Sequence, residues 1–122
     1  MNPNIKEAQR YVANAKEILS EKAKKKEGYY TDTKYVKMAG GTAYKGVLVA
    51  MDGVFGKKIK GHKDIDWYRQ NTVKWNKKLL PVLNRAYDIS HLYLGYDRTL
   101  DVRVANAGID NAERIISVAA EA

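Results

Sequence analysis

The amino-acid sequence predicts an all-α fold, an antiparallel up-and-down four-helix bundle whose third helix is broken or kinked near Pro81. Apolar residues recur at intervals of three and four along most of the chain, which is the spacing of a helix that buries one face. The segments between these stretches are short, so neighbouring helices should run antiparallel. No alternating strand pattern is evident. We expect the 122 residues to form one domain, with five helices if the break divides the third.

The first helix is predicted over residues 4–26, where an apolar residue recurs every three or four positions. Asn4 and Glu7 have the spacing of a capping box, in which each side chain pairs with a free backbone N–H of the first turn. Lysines precede Gly28, and lysine suits the negative end of the helix dipole. Gly28 is therefore expected to follow the end of this helix.

The second helix is predicted over residues 33–55, with Asp32 or Thr31 as its cap. Its predicted inner face consists of Tyr35, Met38, Ala39, Thr42, Ala43, Gly46, Val47, Ala50, Met51 and Val54. Gly40, Gly41 and Gly46 lie inside it, and each glycine costs a helix about 0.5–1 kcal/mol relative to alanine. We expect the close approach of a neighbouring backbone to compensate for this cost, and the helix to be central.

The third arm of the bundle is predicted in two pieces, over residues 64–75 and 77–95. Asp64 is the expected cap of the first piece. Pro81 lacks a backbone N–H and disfavours helix at the residue before it, so a kink or break is expected nearby. The final helix is predicted over residues 100–120, with Thr99 or Asp101 as its cap. Its predicted inner stripe consists of Ala105, Gly108, Ile109, Ala112, Ile115, Ile116 and Ala119.

Composition excludes several classes of site. The chain has no cysteine, which excludes disulfides, iron–sulfur clusters and thiolate zinc sites. His62 and His91 lack the spacings of metal motifs, and no glycine-rich phosphate loop is present, so we expect neither metal nor cofactor. The longest uncharged stretch, Ile89–Tyr96, has eight residues, whereas a membrane span needs about 20. No secretory signal is evident at residues 1–10, so we expect a cytoplasmic protein without membrane association.

A basic patch is predicted around the linker between the second and third helices. The chain carries 22 basic and 14 acidic residues, a net charge of +8, and the excess is concentrated in residues 57–78. The predicted patch consists of Lys57, Lys58, Lys60, Lys63, Lys77 and Lys78. Such a patch favours an anionic partner, RNA or a nucleotide. The alternative is a solvated surface that keeps the protein soluble.

The segment around Arg85, Asp88 and His91 holds the candidate catalytic residues. A histidine moves protons near neutral pH, and an arginine fork binds a phosphate. Asp88 lies three residues after Arg85 and three residues before His91, so an ion pair of Asp88 with either residue is within reach on a helix. Arg85 and His91 are six residues apart, which corresponds to about 120° around a helix. The alternative is that His91 is a half-buried helix residue and Arg85 a surface residue.

A tyrosine-rich end of the bundle is also predicted, because an up-and-down arrangement brings two loops to the same end. The predicted ligand or partner surface consists of Tyr29, Tyr30, Tyr35, Tyr93, Tyr96 and Arg98. Tyrosines beside cations stack on bases or bind a protein partner. The alternative is a tyrosine plug whose hydroxyl groups reach water over the end of the core.

The Arg85-x5-His91 spacing in the penultimate long helix resembles the Arg–His motif of the HEPN superfamily. The helical pattern resembles that superfamily over most of the chain, including residues 39–47 and 105–116. The motifs GYYTDTKYVKMAG and AYDISHLYLGYD also resemble a narrower, uncharacterised bacterial family of small helical bundles. The HEPN resemblance implies a bundle that dimerises, and either a metal-independent RNase or a partner of a nucleotidyltransferase. Ala86 follows the arginine where nuclease members commonly have a polar residue, which argues against catalysis.

Three functions remain open from the sequence. The first is a HEPN-like module without catalysis that forms a homodimer or binds another protein, such as a nucleotidyltransferase-type partner. The second is a metal-independent RNase that uses Arg85 and His91. The third is a module that binds RNA or a nucleotide through the basic stretch.

Overall fold

The computed structural model describes residues 2–56, 61, 63–96 and 99–122. Its elements are α1 (Pro3–Glu17), β1 (Lys25–Lys26), β2 (Tyr29–Tyr30), α2 (Thr33–Phe55), α3 (Ile65–Asn76), α4 (Leu80–Ala86) and α5 (Val102–Ala120). Two helices continue as π-helix, α1 through Ile18–Lys22 and α4 through Tyr87–Tyr93, and a 3-10 turn over Lys77–Leu79 joins α3 to α4. The predicted all-α bundle is confirmed. None of the described helices is long and apolar enough to cross a membrane.

The helices run antiparallel to their neighbours. The side chain of Asn2 donates to the carbonyl of Gly53 at 3.2 Å and that of Asn4 to Val49 at 3.1 Å, so the start of α1 lies beside the end of α2. An ion pair of 3.0 Å between Lys16 and Glu113 joins the end of α1 to the second half of α5. The predicted third arm corresponds to α3 and α4, which are joined by one turn; Arg69 of α3 donates to Asn84 of α4 at 2.9 Å, so α3 packs back against α4.

Helix capping follows the predicted chemistry at three helices and differs at α1. Asn2, rather than Asn4, caps α1, and its side chain accepts from the Asn4 N–H at 2.8 Å. Pro3 explains the difference, because its fixed φ and missing N–H suit the first helical position. The other caps are Asp32, Asp64 and Asp101, whose carboxylates accept from backbone N–H groups of Lys34, Trp67 and Arg103.

A short hairpin ends the first helical arm earlier than predicted. The predicted helix reaches residue 26, whereas the observed π-helix ends at Lys22 and β1 begins at Lys25. The chain turns with positive φ at Lys24 (53°), Glu27 (52°) and Gly28 (84°). The prediction of no strand is wrong here, because two strands of two residues each are too short to show an alternating pattern.

The break in the third arm lies between residues 75 and 77, as predicted, but Pro81 does not cause it. Asn76 leaves the helical conformation with φ of −157°, and its side chain caps the next turn by accepting from the Lys78 N–H at 3.2 Å. Pro81 lies in the first turn of α4, where its N–H would have no helical partner. The predicted break near Pro81 is therefore present, and its cause is the asparagine cap at Asn76 rather than the proline.

The core lies between α1, α2, α4 and α5. All seven residues of the stripe predicted for α5 are buried. On α2, Val36 is buried and Met38 is 45% exposed, which reverses the predicted orientation of these two residues. Close approach explains Gly40, where an added Cβ would lie 2.6 Å from the Ser90 carbonyl oxygen, and does not explain Gly41, where it would meet nothing within 4 Å.

Candidate functional site

The two flanks of α4 and its π-helical continuation carry different side chains. Ile89 faces α5, where a Cβ built on Gly108 would lie 2.8 Å from the Ile89 Cγ2. His91 faces α2, where its ring stacks on that of Tyr44 at 4.6 Å between centroids. Arg85 precedes Ile89 by four residues and shares its side of the helix. The predicted catalytic pair is therefore separated onto opposite flanks.

The π-helix is the physical reason for this separation. Residues Tyr87–Tyr93 turn less per residue than an α-helix, as shown by the Leu94 N–H that donates to the carbonyl of Ile89, five residues back, at 2.9 Å. The angle between Arg85 and His91 is therefore wider than the roughly 120° of an α-helix. Arg85 and Asp88 are exposed, and in the described ranges neither takes part in an ion pair. Among the described residues, no hydrogen bond or ion pair joins the three predicted residues.

His91 lies in a cluster with Tyr44, Tyr87 and Tyr96, which we call the histidine–tyrosine cluster. Its ring is stacked on Tyr44 with an angle of 29°, tilted against Tyr87 at 5.1 Å, and edge-on to Tyr96 at 5.1 Å. Burial lowers the pKa of His91 from its ordinary value of 6.5. The imidazole is therefore held in its neutral form at pH 7, with its ring against apolar surfaces.

An arginine does adjoin this cluster, and it is Arg69 of α3. Its guanidinium lies 5.4 Å from the Tyr87 ring centroid, its Nε donates to the Asn84 Oδ1 at 2.9 Å, and it forms an ion pair with Asp66 at 3.1 Å. Burial, followed by the charge of Tyr87, raises the pKa of Tyr44 to about 12, and Arg69 opposes this rise. The cluster thus holds uncharged tyrosine and histidine beside one cation at neutral pH.

A buried polar contact fixes α3 against the end of α2. The hydroxyl of Tyr68 donates to the Asp52 Oδ1 at 2.7 Å, and the Lys63 Nζ donates to the same oxygen at 2.9 Å. Lys63 also donates to the Gly56 carbonyl at 2.6 Å. Burial, then the bond to Asp52, raises the pKa of Tyr68 well above its ordinary range. Tyr68 therefore remains a hydrogen-bond donor throughout the physiological pH range.

The predicted basic patch is only partly described. Lys63 is engaged by Asp52 and so is not an open cation, whereas Lys77 and Lys78 are exposed beyond the end of α3. Lys57, Lys58 and Lys60 lie outside the described residues. Lys63 and the pair Lys77–Lys78 flank the two ends of α3, which is 12 residues long. These three lysines consequently do not form one contiguous cluster.

The tyrosines of the predicted tyrosine-rich end lie in four environments. Tyr29 (54% exposed) forms an antiparallel bridge with Asp101, and Tyr93 (46% exposed) lines a shallow groove with Asp101 and Arg103. Tyr30 is buried, and its N–H donates to the Leu100 carbonyl at 2.7 Å, which corrects its placement on an open surface. The other predicted members are Tyr35, half-buried beside Lys34; Tyr96, in the histidine–tyrosine cluster; and Arg98, outside the described residues.

A further surface lies along the outer side of α1 and α2, and the sequence analysis does not predict it. Two adjoining shallow grooves share Tyr11, Met38 and Thr42. We call their combined lining the α1–α2 face; its other members are Asn14, Glu17, Ile18, Glu21, Lys22, Lys34, Lys37, Gly41 and Lys45. The sequence pattern assigns Met38 to the core, because a methionine at helical spacing is indistinguishable from a core residue without its neighbours.

A metal centre has no support in the described part of the chain, where no three histidine, aspartate or glutamate side chains are grouped so as to hold an ion.

Comparisons with known proteins agree on a family without an assigned function. A family model described as a domain of unknown function (DUF5618) matches residues 3–121. Among solved structures, a protein of unknown function from Dyadobacter fermentans is 47% identical, with a TM-score of 0.93, and the match covers 97% of this chain and 94% of that one. No curated protein matches the chain. The predicted resemblance to a narrow, uncharacterised family is thereby confirmed.

Proposed function

Because the chain belongs to the DUF5618 family, whose description states no activity, we propose a function from its geometry. The chain is a HEPN-like helical-bundle module that pairs with a second copy of itself and does not catalyse a reaction. The observation that carries this proposal is the placement of Arg85 and His91 on opposite flanks of one helix. The HEPN resemblance supports pairing, because it implies a bundle that dimerises.

Catalysis by Arg85 and His91 requires both groups at one reacting centre. A general base must lie within hydrogen-bond reach of the proton that it moves. His91 faces Tyr44 of α2, while Arg85 is exposed and, at helical spacing, follows the side of Ile89, which faces α5. This arrangement disfavours contact of both side chains with one phosphate on the same chain.

Pairing is supported by the exposed apolar side chains of the described surface. Met38 and Tyr93 are 45% and 46% exposed. Lys34 and Lys37 line a groove with Met38, and Asp101 and Arg103 line one with Tyr93. Large exposed apolar residues with a polar rim are typical of protein–protein contacts. These side chains support pairing of the bundle with another protein surface.

Self-association is tested by light scattering coupled to size-exclusion chromatography, with sedimentation velocity over the same concentrations. The expected result is a mass that rises from 13.8 kDa towards twice that value as the concentration increases. A mass that stays at that of one chain at every concentration would overturn the proposal.

A further inference from the structure

We propose that the α1–α2 face is the surface through which two copies of the chain pair, with α1 of each copy lying over α2 of the other. This inference rests on the proposed self-association and names its interface. The face is formed by two adjacent, antiparallel helices, which give it the flat, elongated shape of a helix-pair contact.

The centre of the face is apolar and exposed. Met38 is 45% exposed, and it lies between Tyr11 and Ile18 of α1 and Thr42 of α2 along the shared groove. An exposed methionine adapts its shape to a partner surface, because its side chain is unbranched and flexible. A second copy would remove this apolar surface from water, which favours association.

Gly41 gives an independent indication of close approach by a partner. It lies in the middle of α2, is exposed, and a Cβ at this position would meet nothing within 4 Å. Glycine costs a helix interior about 0.5–1 kcal/mol relative to alanine. Gly40 and Gly46 have neighbouring groups that explain their lack of a side chain, whereas Gly41 has none within the chain. A helix of a second copy that packs against Gly41 supplies the missing reason.

Charges on the face are divided between its two helices. The α2 side carries Lys34, Lys37 and Lys45, with no acidic residue, and the α1 side carries Glu17 and Glu21, together with Lys22. In the described ranges, these three α2 lysines and these two glutamates take part in no ion pair within 4.0 Å. The face therefore presents one acidic and one basic row.

A two-fold axis parallel to the helices makes these rows complementary. Such an axis places α1 of one copy over α2 of the other at the same level along the bundle, and each contact occurs twice. Glu17, Glu21 and Met38 line one groove, and Lys34 and Lys37 adjoin Met38 in the next. The glutamates of each copy consequently lie over the lysines of its partner. This match favours a second copy over an acidic peptide or a nucleic acid, which would leave the glutamates unpaired or repelled.

The size of the face predicts a weak dimer. The residues that line the face span 12 positions of each helix, 11–22 and 34–45, and so cover roughly 18 Å by 20 Å. Two such faces bury on the order of 700 Å² in total, which is the range of weak, transient contacts. The contact should form at high micromolar rather than nanomolar concentration.

A charge-swap experiment tests the interface. The basic-row variant carries Lys34→Glu and Lys37→Glu, and the acidic-row variant carries Glu17→Lys and Glu21→Lys. Each variant alone places like charges opposite each other, so its dimer dissociation constant should rise roughly tenfold or more. An equimolar mixture restores opposite charges on both sides of the two-fold axis and should form a heterodimer. Matched controls are Lys77→Glu with Lys78→Glu, and Asp110→Lys with Glu121→Lys, which change exposed charges away from the face.

The outcomes separate this inference from the proposed function. Sedimentation velocity gives the mass of each protein and of the mixture, and circular dichroism confirms that each variant is folded. Loss of dimer in both variants, with recovery on mixing and unchanged controls, supports the α1–α2 face. If both variants dimerise as the wild type does, or if mixing the two variants does not restore a dimer, the proposed interface is overturned. Self-association of the wild type then still stands. A wild type that is monomeric throughout overturns both.

Discussion

Two adjacent glycines in α2 occupy opposite environments, and this makes them a matched pair for mutation. A Cβ on Gly40 would lie 2.6 Å from both the Ser90 carbonyl oxygen and the Leu94 Cβ, whereas a Cβ on Gly41 meets open space. We expect Gly40→Ala to lower the free energy of unfolding by about 1–3 kcal/mol through overpacking. We expect Gly41→Ala to raise it by about 0.5–1 kcal/mol through helix propensity.

The measurement is urea denaturation followed by circular dichroism, at a concentration low enough that each protein is monomeric. Wild type and both variants should unfold with the same dependence on urea, so the midpoints alone report the difference. Equal effects of the two substitutions would contradict the packing described for this helix.

The pKa of His91 predicts a loss of stability on the acid side of neutral pH. Burial lowers the folded-state pKa of His91 below 6.5, so the unfolded chain binds the proton more readily. The stabilising effect of the neutral ring is fully present above pH 6.5 and is lost as the pH falls through the folded-state pKa. The wild type should therefore lose more stability between pH 7.5 and about 5.5 than His91→Phe, which keeps an aromatic ring and has no proton to bind.

Thermal unfolding of the two proteins across this pH range checks the prediction. The comparison with His91→Phe controls for every other titratable group, because these are the same in both proteins. Parallel pH profiles would show that burial of the His91 ring does not disfavour the imidazolium.

The sequence predicted the role of single residues correctly where each residue interacts with its near neighbours in the chain. Asp32, Asp64 and Asp101 cap their helices because each carboxylate contacts a backbone N–H two or three residues away. Arg69 was missed for the opposite reason. Its contacts with Tyr87 and Asn84 cross from α3 to α4, and no short-range pattern relates these positions.

At the scale of elements, a side-chain hydrogen bond helps to join α3 to α2, and it predicts the effect of removing a hydroxyl. Tyr68 is 3% exposed and donates to Asp52 at 2.7 Å. Tyr68→Phe should lower the free energy of unfolding by about 1–3 kcal/mol, because a hydrogen bond to a charged acceptor is lost. Asp52→Ala should cost more, since it leaves a buried hydroxyl without its acceptor.

A double-mutant cycle in urea measures the coupling between these two side chains. The double variant should cost less than the sum of the single variants, because the second change removes the unsatisfied group left by the first. Tyr93→Phe is the control, since its side chain is 46% exposed. Additive effects at positions 52 and 68 would indicate that α3 is held by apolar packing alone.

The long helices were predicted well, and the irregular ones were not. Sustained apolar stripes define α2 and α5, whose bounds agree with the prediction to within two residues. The π-helices at Ile18–Lys22 and Tyr87–Tyr93 consist of residues that also suit an α-helix, so composition does not distinguish them. This difference in pitch is what separated Arg85 from His91. The site was therefore less predictable than the fold.

At the scale of the whole molecule, the separation of Arg85 from His91 predicts that the protein does not cleave RNA. We expect wild type and His91→Ala to leave several RNA substrates equally intact in the presence of a metal chelator. Cleavage products are quantified on denaturing gels, with heat-inactivated protein as the background. Cleavage by the wild type that is lost in His91→Ala would establish the RNase alternative instead.

The bundle itself follows from the pattern of apolar residues, but its contact surfaces do not. A stripe predicts which side of a helix is apolar, yet Met38 falls within such a stripe and lies outside the core. Whether an apolar residue contacts the same chain or water depends on how many neighbours the fold supplies. The number of neighbours depends on how all the helices pack together. It therefore cannot be predicted from the residues next to Met38 in the sequence.

The wide turn of π-helix after α4 also gives this stretch room to lose a residue. Because π-helix turns less per residue than α-helix, a relative that lacks one residue between 87 and 93 would form an ordinary α-helix of about the same total rotation. Leu94, which is 2% exposed, would then keep its place beside Gly40. A gap of one residue inside α2 or α5 would instead rotate every later residue of the buried stripe by about 100°, so gaps should be tolerated between 87 and 93 first.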